Sequence, residues 1–228
     1  KINKILEANN KYIRKSKTVK KFVRRHFNII IFPLLAVWLV FAVYWDNQEV
    51  FANPDASMYT YLDNMRYGRI GYGLESDSVG NDISFKDIEV GDIILGGYPG
   101  CAYGRFSHAA IYVGKGNVIE GYLDSGITLN SVEHFRDYSE AAILRVKTSE
   151  EAKLAAADYA RRNENSMFFP LAFKPGDRIW NCTKIIWQAY MIQGIDLDSV
   201  GDIWVAPDSF YASPWINIIE ERGNNNGG

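Results

Sequence analysis

The chain holds two cysteines and three histidines, and one of each stands where it could do chemistry. Cys182 follows Asn181, a residue type that caps helices. Apolar residues come after it at Ile185, Ile186 and Ala189, with Tyr190 alongside. That is the i, i+3, i+4 rhythm of a helix with one buried face. A thiol in the first turn of a helix feels the positive end of the dipole, which favours thiolate. Thiolate is the form that attacks a carbonyl carbon. The bland reading competes, because free cysteine is among the most buried residue types.

A nucleophilic thiolate needs a base within hydrogen-bond reach and a group that orients the base. His108 sits in the apolar run Ser107-His108-Ala109-Ala110-Ile111-Tyr112-Val113-Gly114, and Glu120 interrupts Asn117-Val118-Ile119-Glu120-Gly121-Tyr122. Taken singly, the histidine reads as structural and the glutamate as the solvent side of a strand. Gly114-Lys115-Gly116 between the two runs is a hairpin turn. Counting outward from residue 115 places 109 or 110 opposite Glu120, so His108 falls on the diagonal or across a bulge from it. A histidine and a carboxylate that close can form an orienting pair.

The elements that must position these residues follow the same patterns. Val90-Gly91-Asp92-Ile93-Ile94-Leu95 reads as a strand opened by a Gly-Asp turn, and Ala142-Ile143-Leu144-Arg145-Val146 as a later one. Thr148 is the expected cap of a helix with Glu150 and Glu151 in its first turn, with Leu154, Ala155 and Tyr159 as apolar positions and an end near Arg162. Antiparallel strands with flanking helices predict an α+β domain. Residues 46–84 read as a connector with one short helix around Met58, Tyr61, Leu62 and Met65, and residues 218–228 as a tail.

The formal net charge of −2 conceals an asymmetry. Residues 1–25 hold ten Lys/Arg against the single acid Glu7, and the remainder holds 15 Lys/Arg against 26 acids. Residues 1–27 are expected to form a basic amphipathic segment able to lie on an anionic surface. Ile29–Trp45 follows, seventeen residues without a charge. At about 1.5 Å per residue this run covers roughly 25 Å, slightly short of a ~30 Å hydrocarbon core. Residues 28–45 are therefore expected to be a single transmembrane helix, against the alternatives of a buried core helix or a cleaved signal peptide. Basic residues before it and Asp46 and Glu49 after it place the N-terminus in the cytoplasm and the rest outside.

Other classes are disfavoured. Two cysteines are too few for a disulfide framework or a Cys-based zinc site, and His26, His108 and His134 show no metal-ligand spacing. No Gly-rich phosphate loop is present, so neither metal nor cofactor is expected. Nucleic acid is not an expected partner, because the basic residues flank the apolar run and the remainder is acidic.

In order and spacing, Gly91-Asp92-Ile93-Ile94-Leu95, the His108 strand, Val118-Ile119-Glu120, the Asn181-Cys182-Thr183 helix and Ala206-Pro207-Asp208-Ser209-Phe210 resemble the circularly permuted branch of the NlpC-type papain-like cysteine hydrolases. These are the YiiX/YycO-like proteins, related to lecithin retinol acyltransferase. The resemblance covers residues 85–217. It implies a permuted papain-like domain, an antiparallel sheet packed on helices, with the thiol helix last. It implies Cys182 as nucleophile, His108 as base and Glu120 as the orienting third residue. This chain has Asn181-Cys182-Thr183 where the family often has Tyr-Cys-Ser. An oxyanion-assisting tyrosine has no clear match among Tyr103, Tyr112 and Tyr122.

The expected function is a membrane-anchored hydrolase of amide bonds in cell-envelope peptides. A lipid thioesterase or acyltransferase is the alternative within enzymes. An idle accessory subunit of a membrane complex, docked on partner subunits through residues 1–45, is the alternative outside them. Cys101 lies in the loop leading into His108. It could pair with Cys182 and silence the thiol, although nothing else suggests a disulfide scaffold, which favours a free cysteine.

Overall fold

A computed structural model describes residues 21, 27, 29, 31–198 and 200–223. The chain divides into two units, Lys1–Ala52 and Asn53–Gly228. In the first, helix α1 covers residues 31–46 and is followed by α2, Gln48–Ala52. Its large apolar side chains are exposed on every side. Among the described residues no helix is long and apolar enough to cross a membrane. The expected span at 28–45 begins at Asn28, which lies outside the described residues, as do residues 1–20 and 22–26 of the basic segment and residues 224–228 of the expected tail.

The second unit is built on a six-stranded antiparallel sheet in the order β4-β3-β2-β1-β5-β8. The strands are β1 Ile93–Gly97, β2 His108–Gly114, β3 Asn117–Tyr122, β4 Gly126–Ser131, β5 Glu140–Val146 and β8 Ile216–Arg222. β6 Met167–Phe168 and β7 Ile179–Trp180 form a separate parallel pair. The helices are α3 Ser57–Arg66, α4 Glu150–Arg162, α5 Cys182–Met191 and α6 Pro207–Tyr211.

Both faces of the sheet are covered, which is why Ile93-Ile94-Leu95 is continuously apolar rather than alternating. Ile93, Leu95, Ile111, Ile119 and Leu144 pack with Ala156, Ala160, Ile185, Ile186 and Ala189 of α4 and α5. On the other face Ile94, Ala110 and Val118 pack with Val132, Phe135 and Tyr138, and Ala141 and Ile143 pack with Ile83.

The Gly-Asp turn at the head of β1 has a mechanical reason. Gly91 has φ +92°, and an added Cβ would lie 2.7 Å from the Lys153 Cβ and 2.9 Å from the Tyr190 hydroxyl. Asp92 is fully buried and accepts from Arg145 Nε at 3.0 Å and from the Glu89 N–H at 2.8 Å. The turn therefore joins the sheet, α4 and α5.

Several boundaries differ from the expectation. Ser149, not Thr148, caps α4 by accepting from the Ala152 N–H. Leu154 and Ala155 of that helix face solvent, while Lys153, Ala156, Ala157 and Ala160 are buried. Small alanines let the helix lie close to the sheet, and Lys153 keeps its stem inside with its ammonium 2.7 Å from Glu89. The segment read as a connector is docked from Asn53 onward: the Leu74 N–H donates to the Pro99 carbonyl at 2.9 Å and the Ala102 N–H to that of Gly71 at 2.9 Å. The sheet also runs past residue 217, because β8 pairs with β5 as far as Arg222. Its Glu220-Glu221-Arg222 end suits an edge strand, where charge discourages further pairing.

Gly91→Ala is expected to destabilise the protein by about 3 kcal/mol, from the left-handed backbone together with overpacking. Urea unfolding of the two proteins measures the difference.

Candidate active site

Cys182 is the first residue of α5, and its position is fixed from three sides. The Asn181 Oδ1 accepts from the Lys184 N–H at 2.7 Å, and the Asn181 Nδ2 donates to the Pro170 carbonyl at 3.1 Å. The Thr183 hydroxyl donates to the Val205 carbonyl at 2.6 Å. The Lys184 ammonium, turned back along the helix, donates to the carbonyls of Ile179 at 3.0 Å and Pro175 at 3.3 Å. The approach to the helix is thereby tied to the helix itself. The expected cap at Asn181 is observed.

α5 packs against β2 and β3, and this brings the thiol to the first residue of β2, His108. The charge of Cys182 acts on the His108 ring more strongly than that of any other residue. The other side of the ring is occupied: Nε2 lies 2.7 Å from the Glu120 Oε2. Nδ1 is thus the nitrogen left for the thiol. The register puts Ile111 opposite Ile119, so Glu120 stands diagonal to His108, as the hairpin count required. Of the expected set, His108 and Glu120 meet directly, and Cys182 acts on the same ring.

Glu120 is fully buried and its carboxylate is surrounded by donors. Oε2 receives His108 at 2.7 Å, the Tyr122 hydroxyl at 3.2 Å and His134 Nε2 at 3.2 Å. Oε1 accepts from the Asn130 Nδ2 at 2.8 Å. Burial pushes the carboxyl up, but the hydrogen bonds and charges of His108 and His134 outweigh it and bring it down to about 2. Burial likewise pushes the His108 imidazole down. The charge and hydrogen bond of Cys182, and then those of Glu120, reverse this and hold the ring up at about 10. Tyr122 stacks on that ring at 4.8 Å between centroids and 18° between planes.

Tyr122, Asn130 and His134 were not singled out as site residues from the sequence. Tyr122 had a signal, since it lies two residues beyond Glu120 on one strand and shares its face. Asn130 and His134 reach the carboxylate only because β4 folds back along β3 and the 3-10 turn Val132–Asp137 follows it. No sequence period marks that.

The three tyrosines weighed for the oxyanion separate. Tyr112 accepts from the Gly116 N–H at 3.0 Å, and Tyr122 is committed to Glu120. Tyr103 is the phenol on which Cys182 acts: burial first, then the charges of Cys101 and Cys182, push it up to about 12. It lies between Tyr61 at 6.0 Å and Trp204 at 5.4 Å. Both cysteines are free. Cys101 is buried, which pushes its thiol up to about 11, and its sulfur accepts from the Tyr103 N–H at 3.3 Å. Among the described residues no group of three or more His, Cys, Asp or Glu is arranged to hold a metal ion.

A family model described as a permuted papain-like amidase enzyme, YaeF/YiiX, C92 family, matches residues 87–213. No curated protein matches the chain. Among solved structures it is similar to one described as the crystal structure of metalloprotein yiiX from Escherichia coli O157:H7, at 15% identity and a TM-score of 0.49, over 60% of this chain and 98% of that one.

The depressed Glu120 carboxyl has a thermodynamic consequence. Its stabilisation is full above its ordinary value of 4.5 and is lost as pH falls toward about 2, on the order of 3 kcal/mol in all. Glu120→Gln forfeits that contribution at every pH. The gap between the two proteins in urea unfolding is expected to be widest at pH 7 and to narrow by pH 3.

Proposed function

Since the chain belongs to the permuted papain-like amidases of the YaeF/YiiX type, we propose that this cysteine hydrolase cleaves amide bonds through Cys182, His108 and Glu120. The observation that carries the reading is the 2.7 Å hydrogen bond of His108 to the buried Glu120 carboxylate, on a ring whose charge state is governed by Cys182 at the start of α5. In the first half-reaction His108 already holds the Cys182 proton as an imidazolium–thiolate pair, and the thiolate sulfur bonds to the substrate carbonyl carbon. The Cys182 backbone N–H, left without an intrahelical partner in the first turn of α5, donates to the developing oxyanion. Tyr103 is the side chain we assign as second donor. The tetrahedral adduct collapses as its C–N bond breaks, and His108 passes its proton to the departing amine. A thioester remains. Water attacks it with His108 as base, and the acid leaves as the Cys182 thiolate is restored.

The substrate we propose is a peptide amide of the cell envelope. The location belongs to the same proposal: residues 28–45 anchor the chain, with the N-terminus cytoplasmic and the hydrolase unit outside. It is supported by the uncharged run Ile29–Trp45, by the basic residues before it, and by the exposed apolar side chains around α1.

One observation favours the second reading, a lipid acyl substrate. Phe169, Leu171 and Phe173 are 48%, 58% and 48% exposed on the loop whose Pro170 carbonyl holds Asn181, and Met167 at the start of β6 is 68% exposed. Exposed apolar side chains clustered beside a reactive centre suit an acyl chain or a membrane surface.

Cys182→Ala is expected to abolish thioester formation, read by intact mass after substrate addition, and to leave the unfolding transition in place. Full activity in that variant would sink the proposal. His108→Ala should lower kcat about 10²–10⁴-fold, the usual range for a lost acid–base group. Phe169→Ser with Leu171→Ser separates the two substrate readings. It should spare hydrolysis of a soluble peptide amide and, on the lipid reading, slow hydrolysis of a long-chain acyl thioester presented on vesicles.

A further inference from the structure

The second histidine of the cluster is unused by the mechanism above, yet it touches the same carboxylate oxygen. The His134 Nδ1 faces the Ser131 carbonyl, which can only accept, so Nδ1 must carry a proton. Its Nε2 lies 3.2 Å from the Glu120 Oε2, again a pure acceptor while Glu120 is ionised. A neutral ring protonated on Nδ1 would turn a lone pair toward that oxygen. The Tyr122 hydroxyl, 3.3 Å from the His134 Nε2 and 3.2 Å from the Glu120 Oε2, has one proton and can serve one of them. When His134 carries both ring protons, every group is satisfied: Nδ1–H on Ser131, Nε2–H on Glu120, and the Tyr122 hydroxyl on Glu120.

From this arrangement we infer that His134 is a positioning residue, held as an imidazolium, which shares the Glu120 Oε2 with His108 and thereby governs how readily His108 releases its ring proton. The inference rests on the reading of His108 as the base. The groups facing His134 can be named from each neighbouring element. Glu120 and Tyr122 come from β3 and His108 from β2, and Tyr138 lies 6.3 Å away at the end of its own turn. Glu133 of that turn pairs with Arg136 at 3.1 Å. Burial pushes the His134 ring down, and the hydrogen bond and charge of Glu120 with the Ser131 carbonyl raise it overall.

The two rings are coupled through one oxygen. A proton on His134 draws part of the carboxylate's charge away from His108, which then gives its proton to a leaving amine more easily. Without that cation the whole carboxylate acts on His108 and holds its proton to higher pH. The sign follows from the geometry: losing a nearby positive charge raises the pH at which a cationic acid ionises.

The test uses the full chain labelled with 15N-histidine, whose three histidines give a spectrum assignable with His26→Gln and His134→Gln. In the wild type, His134 should show two protonated ring nitrogens at pH 7. In Glu120→Gln it should titrate near the ordinary histidine value of about 6.5. In His134→Gln the His108 titration should move to higher pH, and the alkaline limb of the activity profile should move with it. A neutral His134 at pH 7 in the wild type overturns the inference without any variant having to fold. So does a His108 titration unmoved in His134→Gln. Failure of iodoacetamide to alkylate Cys182 would instead remove the nucleophile reading, and the ring spectra would still report on His134.

Discussion

The site depends on keeping one carboxylate ionised in a dry place. Glu120 has no exposed surface, and a buried carboxylate without partners costs several kcal/mol or takes up a proton. Its partners come from consecutive parts of one meander: His108 from β2, Tyr122 from β3, Asn130 from β4 and His134 from the turn after it. Each was drawn into an otherwise apolar face that Ile94, Ala110, Val118 and Phe135 fill. The same charge that demands these donors raises the basicity of His108. The stability of the cluster and the basicity of His108 therefore rest on a single group.

The thiol reaches this cluster through packing on the opposite face. α5 lies under β2 with Ile185, Ile186 and Ala189 in the core, and its angle is set by close contacts rather than by long side chains. Gly91 admits Lys153 and Tyr190 at distances no Cβ would permit. The Tyr190 hydroxyl donates to the Gly91 carbonyl and locks the far part of α5 to the head of β1. The near end is held by Asn181, Thr183 and Lys184.

Much of this was legible before the fold was known, for local reasons. A two-residue period and the turn at Gly114-Lys115-Gly116 fix a hairpin register, so the diagonal relation of His108 to Glu120 could be counted. The cap at Asn181 and the apolar rhythm after it mark the thiol helix. The illegible parts depend on tertiary geometry. His134 arrives by a fold-back and a turn of 3-10 helix, neither of which has a periodic signature. Leu154 faces out and Lys153 in, because α4 needs small residues against the sheet and hydrophobicity alone misjudges its phase. β8 is a charged edge strand, and its residues resemble a tail until β5 is there to pair with them.

The permuted order of the parts also bears on how the protein is made. A ribosome delivers residues 93–138 before Cys182, and within them lie the imidazole, the carboxylate and all of its donors. Cys182 emerges only afterwards, beyond α4 and the loop that carries Pro170. Contacts close in sequence form faster than those that must close a long loop. The meander can therefore bury its charge before the thiol helix is made.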